Sequence, residues 1–165
     1  MTAAAEVHEI LVGRGATVAV AESLTGGLLG AALTATPGAS ATFRGGLVVY
    51  ATDLKETVAG VPGPLLDAEG PVSAHVALAL AAGARDRLGA TYGVGVTGVA
   101  GPDLQEGQPV GTVFVAVAGP DDGEFRALTL AGDRAAIRAS AVDAALDLLL
   151  FVLSHDGNAA ASTSV

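Results

Sequence analysis

The chain has 165 residues, 51% of them hydrophobic, a size that fits one domain with a real apolar core and leaves no room for a second. A net charge of -9 and only eight scattered Lys and Arg argue against a nucleic-acid partner, while the absence of cysteine excludes disulfides, thiolate catalysis and Cys-ligated metals. No apolar stretch reaches the roughly 18 to 20 residues of a bilayer-spanning helix, and the N-terminus carries Glu6, His8 and Glu9 instead of a basic leader, so a soluble, cytoplasmic protein with no membrane partner is expected.

Val7, Ile10 and Leu11, with Glu6, Glu9 and Arg14 between them, have the helical period, and Gly13 and Gly15 end the segment, which predicts a helix over 3–14. Thr17 to Ala21 is a β-branched run. A polar cluster follows, and from Leu28 the apolar spacing is helical until Pro37 stops it. A second β-run spans 45–50, and Thr52 is placed to cap a short helix over 53–59. Pro62-Gly63-Pro64 reads as a loop. Ser73 and Gly89 then bracket an Ala-rich helix to about Leu88.

Tyr92 to Val96 reads as a buried strand. The twelve residues from Thr97 to Gln108 are dense in Gly, Pro and acids, and so long a loop in a small domain points to function. Val110 to Ala118 and Phe125 to Leu130 read as two strands joined by a hairpin at Gly119 to Gly123, and Asp133 caps a last helix to about Leu153. Residues 1–154 are expected to form the domain and 155–165 a disordered tail. Helices interleaved with strands predict an α/β fold, a three-layer α/β/α sandwich, and the hairpin makes the sheet mixed although mostly parallel.

Gly93-Val-Gly-Val-Thr-Gly98 matches the dinucleotide fingerprint in letters only, because its glycines lie inside a β-run and Pro102 stands just beyond. The three histidines, His8, His75 and His155, have no metal-ligand spacing, so neither metal nor cofactor is expected. Chemistry concentrates instead at Glu22-Ser23-Leu24-Thr25-Gly26-Gly27, between a strand and a helix. Ser23 or Thr25 as a plain helix cap, with the glycines relieving a tight turn, accounts for this pattern. So does a nucleophile beside backbone N–H groups that hold a phosphate or an oxyanion.

A serine hydroxyl needs a base, and no histidine is in a motif to serve. Lys55 is the chain's one lysine, five residues beyond Tyr50. Burial and a nearby helix start lower a lysine pKa towards neutrality, and Tyr50 would relay a proton or fix the amine; a solvated lysine and a core tyrosine fit the same letters. Arg134 and Arg138, one turn apart at a helix start, suit a phosphate or carboxylate, or else pair with acids such as Asp133.

Ala21-Glu22-Ser23-x-Thr25-Gly26-Gly27, Phe43-x-Gly45-Gly46-x-x-x-Tyr50-x-x-x-x-Lys55, Val72-Ser73, Val96-Thr97-Gly98-x-Ala100-Gly101-Pro102, Pro109 to Val113 and Gly132-Asp133-Arg134-x-x-x-Arg138 together resemble, in order, the CinA C-terminal domain family. The resemblance runs from about residue 5 to 153. It implies hydrolysis of nicotinamide mononucleotide to nicotinic acid mononucleotide and ammonia, without metal or cofactor, in a homo-oligomer, a dimer. Carried onto this chain, it implies Ser23 as nucleophile, Lys55 as general base and Tyr50 as its partner. It also implies Thr97 and Arg134 in the pocket, and beyond the resemblance Gly98, Gly46, Thr25, Gly26 and Gly27 are expected substrate contacts, with Arg134 or Arg138 on the phosphate. An oxyanion site at the Thr25 to Gly27 amides is expected from helix-start geometry.

Two positions depart from the family pattern. Leu24 stands where relatives usually carry cysteine, and Asp103-Leu104-Gln105-Glu106-Gly107 replaces a glycine-rich continuation, adding two negative charges to an expected pocket loop. A serine-lysine amidase for another small amide and a non-catalytic nucleotide-binding or scaffold relative are the competing readings.

Overall fold

A computed structural model of the chain describes residues 1–161. Eleven elements alternate along it: α1 (Ala3–Arg14), β1 (Val18–Glu22), α2 (Leu28–Thr34), β2 (Phe43–Val48), α3 (Thr52–Thr57), α4 (Gly63–Glu69), α5 (Ala74–Leu88), β3 (Tyr92–Gly98), β4 (Thr112–Ala118), β5 (Gly123–Thr129) and α6 (Arg134–Ala161). A single turn of 3₁₀ helix at Ala39–Ala41 precedes β2.

The strands form one sheet in the order β2-β1-β3-β4-β5. β1 is parallel to both β2 and β3, and β4 is antiparallel to both β3 and β5, so the sheet is mixed with β4 alone reversed. Helices cover both faces, giving the three-layer α/β/α sandwich.

Period-2 alternation sorts the two faces by size. Val18 and Val20 of β1, Val94 and Val96 of β3, and Val113, Val115 and Val117 of β4 face one side, where they pack with α1, α2 and α6. Ala19 and Ala21 of β1 face the other side, with Leu80 and Ala84 of α5, and Ala116 and Ala118 of β4 meet Ala77 and Ala81 of the same helix. The small-residue face lets α5 lie close on the sheet. A Cβ on Gly93 would run into the Ala81 carbonyl oxygen, and one on Gly95 into that of Ala77. Gly93 and Gly95 of the fingerprint-like segment are therefore there for helix–sheet contact.

Several boundaries follow from simple causes. Ser73 Oγ accepts from Val76 N–H at 3.1 Å and Gly89, at φ 63°, closes α5, as the letters predict. Asp133 Oδ1 accepts from Ala136 N–H at 2.9 Å and caps α6. Thr52 is instead the first residue of α3 and Ala51 its cap, with no side-chain bond. The segment expected to be a Pro-Gly-Pro loop opens α4: Pro62 is its cap and Pro64 sits in the first turn, where its missing N–H costs nothing. The last helix passes Leu153 and continues to Ala161, so 155–161, expected in a disordered tail, is helical; 162–165 lies outside the described residues. No helix among the described residues is long and apolar enough to cross a membrane.

Because β1, β2 and β3 are parallel, their C-terminal ends share one edge. Val49 N–H donates to Glu22 O at 2.9 Å and Ser23 N–H to Val96 O at 3.0 Å, which fastens the three ends together. From β1 the chain moves to β2 on one side, and from β3 to β4 on the other, so a crevice opens between β1 and β3.

Gly95→Ala forces a methyl group against the α5 backbone. It should lower stability by about 3 kcal/mol, the upper end for overpacking, read as a fall in the urea midpoint.

Candidate active site

The crevice holds a cavity of about 250 Å³, and residues following all three parallel strands line it: Ser23 and Leu24, Tyr50 and Lys55, and the run from Thr97 to Gln105. Pro71, Val72 and Arg134 complete the wall. Ser23 and Lys55, 32 residues apart in the chain, meet here with Lys55 Nζ 3.0 Å from Ser23 Oγ.

Lys55 is 2% exposed. Its Nζ also donates to Val49 O at 2.9 Å and to Tyr50 O at 3.2 Å. Burial lowers its pKa from 10.5 to about 8. These two carbonyls define what the neutral amine does. With two protons directed at Val49 O and Tyr50 O, its lone pair is left for the Ser23 hydroxyl, which is the geometry of a general base.

Tyr50 reaches the amine through its backbone carbonyl only. Its side chain is 59% exposed, and its hydroxyl accepts from Arg134 Nη2 at 3.1 Å. Arg134 Nη1 donates to Gly101 O at 2.7 Å, so the guanidinium joins the β2 side of the cavity to the loop after β3. Thr97 is buried in the wall, where its hydroxyl donates to Pro71 O at 2.7 Å and ties the strand end to the segment entering α5. Gly98 lines the cavity beside it.

Other expected contributors lie elsewhere. Thr25, Gly26, Gly27, Gly46 and Arg138 do not line the cavity. Gly46 pairs with Val20 inside the sheet, where a Cβ would press on the valine side chain. Arg138 Nε and Nη2 donate to the carbonyls of Leu24 and Thr25 at 2.9 and 3.3 Å, so its guanidinium is engaged with the protein's own backbone.

The amides at the start of α2 are engaged as well, because Glu22 occupies them. Its Oε1 accepts from Thr25 Oγ1 at 2.6 Å, Gly27 N–H at 3.3 Å and Leu29 N–H at 2.9 Å, and its Oε2 accepts from Gly30 N–H at 3.0 Å. An oxyanion site at the Gly26 and Gly27 amides is thus ruled out, since Gly26 N–H donates to Ser23 O. Glu22 is 1% exposed, and its capping role was the feature least visible in the letters. The available signal was an acid ending a run of otherwise buried strand residues, directly before a turn rich in free amides.

The family model described as the CinA C-terminal domain matches residues 1–153. A CinA-like protein of Frankia casuarinae is 55% identical over 155 residues, covering 94% of this chain and 36% of its own length. A putative competence-damage inducible protein of Desulforamulus reducens is 46% identical, covering 86% and 34%. The chain thus spans about a third of the length of the curated relatives it matches. Among solved structures, the competence damage-inducible protein A of Klebsiella pneumoniae superposes with a TM-score of 0.90 at 34% identity, covering 93% of this chain and 96% of that one. A competence/damage inducible protein of Agrobacterium tumefaciens gives 0.83 at 34% identity, covering 93% and 97%.

Two measurements check the electrostatics. Because the folded pKa of Lys55 lies below its unfolded value, the unfolded chain binds more protons between pH 8 and 10.5. Stability from this group therefore rises with pH across that window, and Lys55→Met should remove the rise in denaturation curves at pH 7.5 and 10. Glu22→Gln turns an NH₂ towards backbone donors and should cost about 2 to 3 kcal/mol, read as a lower melting temperature.

Proposed function

Because this chain belongs to the CinA C-terminal domain family, we propose that it hydrolyses the carboxamide of nicotinamide mononucleotide, releasing ammonia and nicotinic acid mononucleotide by serine–lysine catalysis. The observation that carries this reading is the buried Lys55 amine 3.0 Å from Ser23 Oγ, with two backbone carbonyls fixing its remaining protons.

In this reading Ser23 Oγ bonds to the carboxamide carbon as its proton passes to Lys55 Nζ. Lys55 returns the proton to the nitrogen, the C–N bond breaks and ammonia leaves an acyl-serine. A water then gives a proton to the amine and attacks the ester, and Ser23 Oγ takes that proton back as the acid departs. The lining supports a flat aromatic amide: Leu24, Pro71, Val72, Val99 and Ala100 supply apolar wall beside the serine. Arg134, which lines the cavity and is bonded to Gly101 O and the Tyr50 hydroxyl, supplies the positive charge that would attract a phosphate.

Asp103 also lines the cavity and favours a second reading, an amide without the phosphate. Its carboxylate opposes the phosphate of a nucleotide and attracts the pyridinium cation of a nucleoside that lacks it.

Ammonia release separates the readings. With nicotinamide mononucleotide, native protein should turn over, while Ser23→Ala and Lys55→Ala should each lose about 10⁴-fold or more in kcat. The kcat limb should rise with pH through about 8 as Lys55 loses its proton. Turnover of nicotinamide riboside but not the nucleotide supports the second reading. Nucleotide binding with no release of ammonia from either refutes both.

A further inference from the structure

Each backbone donor of the nucleophile turn can be followed to its acceptor. The Ser23 N–H, the usual oxyanion donor of a nucleophilic serine, is spent on Val96 O at 3.0 Å. Gly26 N–H goes to Ser23 O and Leu28 N–H to Thr25 O, while Glu22 takes those of Gly27, Leu29 and Gly30. Within residues 23–30, the N–H groups of Leu24 and Thr25, both buried, make no hydrogen bond among the described residues, and Leu24 is the one of the two that lines the cavity. Two adjacent orphan amides in a buried turn are a cost that a folded chain rarely carries without a use. They are the two that follow the nucleophile directly.

Arg138 holds the same peptides from the other side. Its Nε donates to Leu24 O at 2.9 Å and its Nη2 to Thr25 O at 3.3 Å. The Leu24–Thr25 peptide is trans, so its N–H points opposite to its C=O. With Leu24 O drawn to Arg138, the Thr25 N–H is turned away from α6. The Leu24 N–H is likewise fixed opposite Ser23 O, which is bonded to Gly26 N–H. Gly26, at φ 58°, leaves room for the guanidinium, since a Cβ there would stand 3.2 Å from Arg138 Nη2.

We propose that Arg138 is a positioning residue for catalysis. It holds the Ser23 turn in the arrangement that leaves the Leu24 amide, on the residue that lines the cavity beside the serine, free to receive the oxygen that becomes negative in the reaction. This rests on the serine–lysine reading above. As the Oγ–C bond forms and the hydroxyl proton passes to Lys55, the carbonyl π pair moves onto that oxygen, and the Leu24 amide binds it there.

The test labels Ser23 with a fluorophosphonate. The Oγ–P bond forms, fluoride leaves with the P–F electron pair, the proton passes to Lys55, and the phosphoryl oxygen occupies the oxyanion position. In ¹⁵N–¹H spectra the Leu24 amide proton should move downfield further than any other amide in residues 22–30. Arg138→Ala should slow labelling and kcat by about 100-fold with KM for nicotinamide mononucleotide unchanged, and added methylguanidine should restore part of the loss. Arg138→Lys, able to hold one carbonyl, should lose about tenfold and guards against an alanine variant that fails to fold. No labelling of Ser23 in the native protein overturns the serine–lysine reading and this inference with it. Labelling that leaves the Leu24 amide unmoved, or that proceeds at the native rate in a folded Arg138 variant, overturns the inference alone.

Discussion

An amine buried at the ends of three parallel strands is the constraint around which this protein is arranged. Lys55 can be 2% exposed only because every direction in which its nitrogen points meets an acceptor: two carbonyls at the end of β2 and the serine after β1. An amine with fewer partners would pull water in or force the helix outward. The chain therefore needs β1 and β2 side by side and ending level, and the bond from Val49 N–H to Glu22 O holds them so. The sheet order, with β1 between β2 and β3, is the topology that brings serine, lysine and the Thr97 loop to one crevice.

The polar groups around the serine divide into those that hold and those that remain open. Glu22 holds the start of α2, Thr97 holds the entry to α5, and Arg134 spans from Gly101 to the Tyr50 hydroxyl. Each is a charged or hydroxyl side chain bonded to backbone or to a neighbour, so little of the local polarity is free to move. What is left unpaired is small and placed at the chemistry. This is the pattern expected when electrostatic help must be in place before the reacting group arrives.

Much of this was legible in the letters. Ser73, Gly89 and Asp133 announced helix ends because capping is a local property of one side chain or one backbone angle. The serine–lysine pair was readable because a lone lysine and a polar strand–helix junction are both rare in so aliphatic a chain. α4 was missed because Pro62-Gly63-Pro64 signals a turn equally well whether the chain then coils or winds into a helix, and only tertiary contact decides. Arg138 was assigned to a ligand because its charge is visible in sequence while the carbonyls it holds, more than a hundred residues earlier, are not. Tyr50 was expected to relay a proton or fix the amine, and it is its carbonyl that contacts Lys55 Nζ, a group that belongs to every residue.

The dependence of the serine turn on α6 has a consequence for how the protein comes into being. A nascent chain that has emerged as far as β5 already carries both reactive side chains and every strand of the sheet. Without residue 138, however, the Leu24 carbonyl loses its partner, and without residue 134 the crevice lacks its bridge. The crevice is thus completed last, with the docking of the final helix, whose Ile137, Leu146, Leu149 and Leu153 also cover the valine face of the sheet, so a product truncated before α6 lacks a covered core as well as a finished site.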